Sequence, residues 1–169
     1  MFQPANAMSE TSYPYMAVDQ PCAYNSANTT GVTVTNWSWV ACANGYPASP
    51  PCQGTQTPYN PSVNEIMKAL QGQPLSISIE ANKPGFQSYS SGVFNSAHCG
   101  TMLDHAVDMV GWGYDAASGL NYWNVRNSWG TSWGNQGYIW MAIQGTGTDQ
   151  MVGVCGCQME PVYPWANTA

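Results

Sequence analysis

From Leu75 onward the chain runs as short apolar stretches cut by glycine-rich turns, a pattern that fits a sheet better than a bundle. Leu75-Ser76-Ile77-Ser78-Ile79 alternates strictly between apolar and polar, the period-2 signature of a strand with one buried face. Further strands are expected at residues 106–112, 121–126 and 137–143, with an earlier short one at 31–35. One helix precedes them. Ser62-Val63-Asn64-Glu65 is a capping box, in which the serine oxygen accepts the Glu65 amide and Glu65 reaches back. Ile66, Met67, Ala69 and Leu70 follow, and Gly72 ends the helix. A helix this short is held by packing rather than by propensity. One helix followed by several antiparallel strands indicates an α+β domain dominated by sheet.

Residues 1–12 are polar and aperiodic and read as a tail or incoming linker, with the folded domain over 13–165. Within it, residues 36–61 are rich in Trp, Pro, Gly and Cys and read as a long loop insertion. Composition narrows the function. Of 169 residues, 44% are hydrophobic and 7% charged, against roughly 25% charged in an average globular protein. Disorder driven by charge is excluded, and the surface must be built from uncharged polar residues. The net charge is −6, and Lys68, Lys83 and Arg126 are the only basic side chains apart from histidine. Binding to nucleic acid by phosphate neutralisation is therefore not expected. No apolar run reaches the roughly 18 residues of a membrane span.

Six cysteines (Cys22, Cys42, Cys52, Cys99, Cys155 and Cys157) form no C-x-x-C pair, and with two histidines a zinc site is not expected. No cofactor is implied. Disulfides and an oxidising, secreted or lysosome-like compartment fit better. Cys42 and Cys52, ten apart, read as a local staple on the long loop, two unrelated thiols being the alternative. Asn28 and Asn36 head N-x-[ST] sequons and are glycosylation candidates in such a compartment. Met1-Phe2-Gln3-Pro4 has neither a basic n-region nor an apolar h-region, so a secretion signal is expected upstream of the sequence.

The chemistry-bearing candidates are His105, at the start of one expected strand, and Asn127, at the end of the next. Antiparallel neighbours place the start of one strand beside the end of the other. An amide oxygen can then reach an imidazole N–H and fix its tautomer. A structural histidine beside a turn asparagine is the plainer reading of that spacing.

A longer pattern sharpens the reading. Gly92-Val93-Phe94, Cys99-Gly100, Leu103-Asp104-His105-Ala106-Val107 and Tyr122-Trp123-Asn124-Val125-Arg126-Asn127-Ser128-Trp129-Gly130-Thr131-Ser132-Trp133-Gly134 closely resemble the second half of papain and the cathepsins. Tyr13-Pro14-Tyr15 before them and Gly153-Val154-Cys155-Gly156 with Tyr163-Pro164 after them keep the family order. The resemblance implies the family's second, sheet-rich and barrel-like domain. His105 would be the base that forms a thiolate–imidazolium pair, and Asn127 would hold its ring. Trp129 would shield the bond between them, and Trp133 would line the leaving-group side, although core packing accounts equally well for either tryptophan alone. Ser78, Leu103, Ala106 and Glu160 would line the second specificity subsite, with Asp104 at the cleft edge. Glu160 would let an otherwise apolar pocket accept a basic side chain, unless it is a solvated surface acid. Cys99 and Cys155 match a family disulfide.

The chain also departs from the family. Nothing in it matches the Cys-Gly-Ser-Cys-Trp stretch that carries the nucleophile, nor the glutamine of the oxyanion hole, both of which belong to the family's first, helical domain. Cys22 matches a cysteine whose usual partner lies in that domain, and Cys157 is not a family cysteine, so both are candidates for interchain or unusual pairing. Two readings follow. The chain supplies half of a cysteine peptidase completed by a first domain or light chain and acting on protein or peptide substrates. Alternatively it is an inactive pseudo-peptidase serving as a structural or binding module in an extracellular assembly.

Overall fold

A computed structural model of the chain describes residues 5–41 and 60–168. The one amphipathic helix, α1 (Val63–Leu70), begins where its capping box places it. The Ser62 hydroxyl accepts the Glu65 amide at 3.3 Å, and a Glu65 carboxylate oxygen accepts the Ser62 amide at 2.8 Å. Val63, Ile66 and Ala69 are buried, and the helix packs on the sheet against β5 (His105–Asp115). Pro84, at the first helical position, opens the single turn α2 (Pro84–Gln87), which buries Phe86.

Eight strands make one sheet in the order β1-β2-β8-β3-β5-β6-β7-β4. They are β1 (Ala5–Met8), β2 (Thr29–Trp39), β3 (Leu75–Ile79), β4 (Val93–Phe94), β5, β6 (Leu120–Arg126), β7 (Tyr138–Ala142) and β8 (Val162–Thr168). Every neighbouring pair is antiparallel except β4 with β7. The expected α+β, sheet-dominated architecture is present. The barrel-like closure is not: the sheet is open, with β1 and β4 at its edges.

The period-2 reading of β3 holds residue by residue. Leu75, Ile77 and Ile79 are buried, and they continue across the sheet into Val107, Met109, Trp123, Val125, Ile139 and Met141. Each such side chain contributes about 1.5–3 kcal/mol by leaving water. The opposite face carries a cross-strand row, Ser76–Asp108–Arg126–Tyr138, set by the register of β3, β5, β6 and β7.

Four strands differ from expectation, among them the two-residue β4, which was not expected at all and pairs in parallel with β7. Residues 5–8, read as tail, form β1, where Asn6 and Thr33 are joined by a side-chain hydrogen bond across to β2. β2 is longer than the expected 31–35 and runs into the segment read as loop. β8 contains Pro164, which argues against a central strand. It meets β3 at a single register pair, Ser76 with Val162, so beyond that pair β2 is its only partner and the missing amide is tolerated. The proposed Cys42–Cys52 staple lies outside the described residues.

The Cys99–Cys155 disulfide is formed, with Cα atoms 4.7 Å apart. Cys22 is free and exposed. Cys157 is free and completely buried, which corrects its reading as an interchain candidate; burial pushes its thiol from 9.0 up to about 12. No helix among the described residues is long and apolar enough to cross a membrane.

Candidate active site

His105 opens β5, and Asn127 follows the last residue of β6. Asp108 pairs with Arg126, so the antiparallel register brings the two side chains to the same end of the sheet. His105 Nε2 lies 2.9 Å from Asn127 Oδ1, which also accepts the Ser128 amide at 2.7 Å. An oxygen with two donors fixes the orientation of the amide, so Nε2 carries the hydrogen. Nδ1 is left as the proton-accepting nitrogen of the neutral ring.

The loop after Asn127 is shaped by two glycines. Gly134 has φ +60°, and a Cβ there would lie 2.5 Å from the Tyr138 carbonyl oxygen. Gly137 has φ +89°, and a Cβ would stand 3.3 Å from the Gly130 oxygen. Both positions favour a residue without a side chain. The turn they permit lets the Asn127 amide donate to the Gly137 carbonyl at 2.9 Å, which anchors the backbone of the asparagine. Asn127 is buried, and among the described residues its Nδ2 has no partner.

An aromatic cluster meets this pair through Trp129. Trp129 lies against the His105 ring, with centroids 5.1 Å apart and an interplanar angle of 32°. Trp133 sits edge-on to Trp129 at 5.3 Å, and its indole N–H donates to the Gln87 carbonyl at 3.0 Å. Phe86 is completely buried and touches both, at 5.6 Å from Trp129 and 5.3 Å from Trp133. Tyr89 packs on Trp133 from the other side. Its hydroxyl donates to the Gly92 carbonyl at 2.7 Å and accepts the Trp140 amide at 3.3 Å. Burial raises its pKa, and the Trp140 N–H offsets part of that rise.

The other expected site residues spread from this point. Ser78 and Ala106 are directly opposed on β3 and β5, facing away from the core. Asp104 is exposed, but its Oδ1 accepts the Ala81 amide at 2.7 Å, tying the start of β5 to the end of β3. Leu103 is half-buried against Gly156, where a Cβ would come within 2.6 Å of its side chain. Glu160 is exposed just before β8 and, among the described residues, forms no hydrogen bond or ion pair. Asn28 is exposed in a 3-10 turn, whereas Asn36 is half-buried within β2.

Two buried polar side chains went unnoticed in the sequence. Gln158 Oε1 accepts from the Trp123 indole and the Gln144 amide, both at 3.1 Å, and its amide nitrogen donates to the Gln144 carbonyl at 3.2 Å. Glu80 is 2% exposed and pairs with Lys83 at 3.0 Å. Its second carboxylate oxygen occupies the space over Gly100, 2.5 Å from where a Cβ would stand. Gln158 carries no local sequence signal, since Trp123 and Gln144 reach it only through the fold; Glu80 and Lys83 form a local i,i+3 pair, but nothing in the sequence marks the carboxylate as buried. No cluster of three or more metal-ligating side chains occurs among the described residues.

Residues 1–165 match the papain family cysteine protease profile, and the chain belongs to that family. A thiol protease from Hemerocallis sp. is 40% identical over 161 residues, covering 95% of this chain and 38% of its own length. Fruit bromelain from Ananas comosus is 37% identical, covering 92% and 37%. Among solved structures, an inhibitor complex of bromelain from Ananas comosus superposes with a TM-score of 0.69 at 34% identity, covering 93% of this chain and 61% of that one. The chain thus spans well under half the length of these curated relatives.

Proposed function

We propose that this chain is the C-terminal part of a papain-like cysteine endopeptidase, supplying the histidine and asparagine of a site whose cysteine nucleophile comes from a first domain or partner chain. The observation that carries the reading is the 2.9 Å bond between His105 Nε2 and Asn127 Oδ1, which leaves Nδ1 to take a thiol proton. In the reaction the thiolate attacks the substrate carbonyl carbon, and the imidazolium gives its proton to the leaving amine. Water then attacks the thioester, with the neutral imidazole as base, releasing the acid and the thiol. Trp129 keeps water from the Asn–His bond and so strengthens it. Trp133 borders the leaving-group side.

On this reading Ser78, Leu103 and Ala106 form the walls of the second subsite, and Glu160 accepts a basic side chain at its floor. Cys22 is positioned by its exposure to bond the completing chain. The formed Cys99–Cys155 disulfide supports an oxidising compartment, extracellular or lysosome-like.

Mixing the folded chain with a separately produced first domain of a relative, then following cleavage of a fluorogenic dipeptide, tests the reading. Cleavage that disappears with His105→Ala is the expected result. A folded, stably bound partner that gives no cleavage would leave the chain as an inactive relative.

A further inference from the structure

Tyr89 is buried, with 7% of its surface exposed, and has no task in the reaction proposed above. It follows the single turn α2, and its hydroxyl extends the bonding of a very short edge strand. β4 has two residues, Val93 and Phe94, paired with Trp140 and Met141 of β7. The Trp140 amide donates to the Tyr89 hydroxyl at 3.3 Å, and that hydroxyl donates its own proton to the Gly92 carbonyl at 2.7 Å. One hydroxyl thus uses both a donor and an acceptor to fasten residues 89–92 to β7.

The segment fastened in this way is the one that holds Trp133. The Trp133 indole N–H donates to the Gln87 carbonyl at 3.0 Å, and the Tyr89 ring lies against the indole with centroids 5.8 Å apart. A Cβ on Gly134 would stand 3.2 Å from Tyr89 Cδ1, so the ring also bears on the next residue of that loop. The amides of Gln87, Ser88 and Tyr89 bond back to Lys83, Pro84 and Phe86, inside the turn itself. A tie from this turn across to the strand ladder comes from the Tyr89 hydroxyl. Trp133 in turn meets Trp129 at 5.3 Å, and Trp129 meets His105 at 5.1 Å.

We propose that Tyr89 is a positioning residue: its hydroxyl fixes the Gln87 carbonyl and with it Trp133, and so sets how the site receives the leaving-group side of a substrate. The part that concerns substrate rests on the function proposed above. A wall displaced by a fraction of an ångström costs most for the groups in contact with it. A peptide leaving group that reaches Trp133 is therefore affected more than a small one that does not.

Tyr89→Phe keeps the ring and removes only the hydroxyl. In the whole isotope-labelled chain, hydrogen exchange of the indole N–H groups is followed by NMR, with signals assigned by replacing single tryptophans. Trp123 is the internal reference, because its N–H donates to the buried Gln158 and exchanges only when the core opens. The Trp133 N–H of the variant is expected to exchange several-fold faster relative to Trp123. An unchanged ratio would overturn the positioning role, whether both rates rise, as a general loss of stability would give, or neither does. The chain and the variant are then each combined with the separate first domain and given two substrates with the same acyl side, one releasing a small coumarin and one a peptide. A several-fold fall in kcat/KM for the peptide-releasing substrate relative to the other is expected, and an unchanged ratio would overturn the leaving-group assignment. If the unaltered chain, with the first domain stably bound, cleaves neither substrate, the peptidase reading falls, while the indole exchange still decides whether Tyr89 holds Trp133.

Discussion

Residues 10–28 and residues 75–143 border the same cavity, yet they are held in opposite ways. In the first, every side chain is exposed and the backbone is fastened by turns. In the second, alternate residues of four strands are buried, and Phe86, Tyr89, Trp129 and Trp133 form one ring cluster that meets His105 through Trp129. The difference teaches where chemistry can be built. A proton-transfer pair must hold its geometry to within about 0.5 Å, which strand ends anchored in a core provide.

The sharpest way to break this contrast is to cut each region in turn. Phe86→Ala is expected to cost about 3–5 kcal/mol in urea unfolding, because a completely buried ring leaves a cavity beneath both tryptophans. Tyr15→Ala should stay within about 0.5 kcal/mol. Similar losses from the two would show that the N-terminal segment is packed after all.

Next in size is the disulfide. Replacing Cys99 and Cys155 by alanine removes a link across 56 residues and is expected to cost about 2–4 kcal/mol, read from thermal unfolding. An unchanged midpoint would mean that the core alone fixes the approach to β5.

Gly137→Ala places a side chain at φ +89° and should cost about 1–2 kcal/mol. It should also shift the His105 imidazole N–H resonance in NMR, because the Gly137 carbonyl holds the Asn127 amide. Loss of stability with an unmoved resonance would separate the loop from the pair.

The last effect concerns pH and grows with the window that is covered. The Cys157 thiol keeps its proton in the fold up to about 12, whereas an unfolded chain loses it near 9.0. The native state therefore binds more protons across that window. Its contribution is complete below 9.0 and is lost as pH rises toward 12, with a slope of up to about 1.4 kcal/mol per pH unit. Denaturation of the chain and of Cys157→Ala at pH 8 and 10.5 reads this directly. Equal slopes would show that the thiol ionises inside the fold.

Much of the working half was legible in the sequence. The capping box placed the start of α1, and strict alternation placed β3 with its buried face. Those are local signals, and local physics decides them. The neighbouring ends of β5 and β6 were legible for a related reason, since consecutive antiparallel strands leave little choice of register. β1 and β8 were missed because their partners lie far along the chain: Ala5 meets Val34, and Val162 meets both Trp39 and Ser76. Pro164 also argued against a strand that the fold tolerates, because β8 has only one partner there.

The sequence by itself determined that the chain would be a sheet-rich α+β domain with one short amphipathic helix, and its resemblance to the papain family singled out His105 and Asn127. The first follows from period, capping and spacing, which need no knowledge of the fold. Only the tertiary structure decided that Nε2 and not Nδ1 meets Asn127, that Cys157 is sealed in the core, and that Glu80 fills the space over Gly100. It alone placed Glu10 and Tyr15 on the rim of the cavity that Arg126 also borders. Each of these depends on atoms brought together from distant parts of the chain, and no local pattern encodes that meeting.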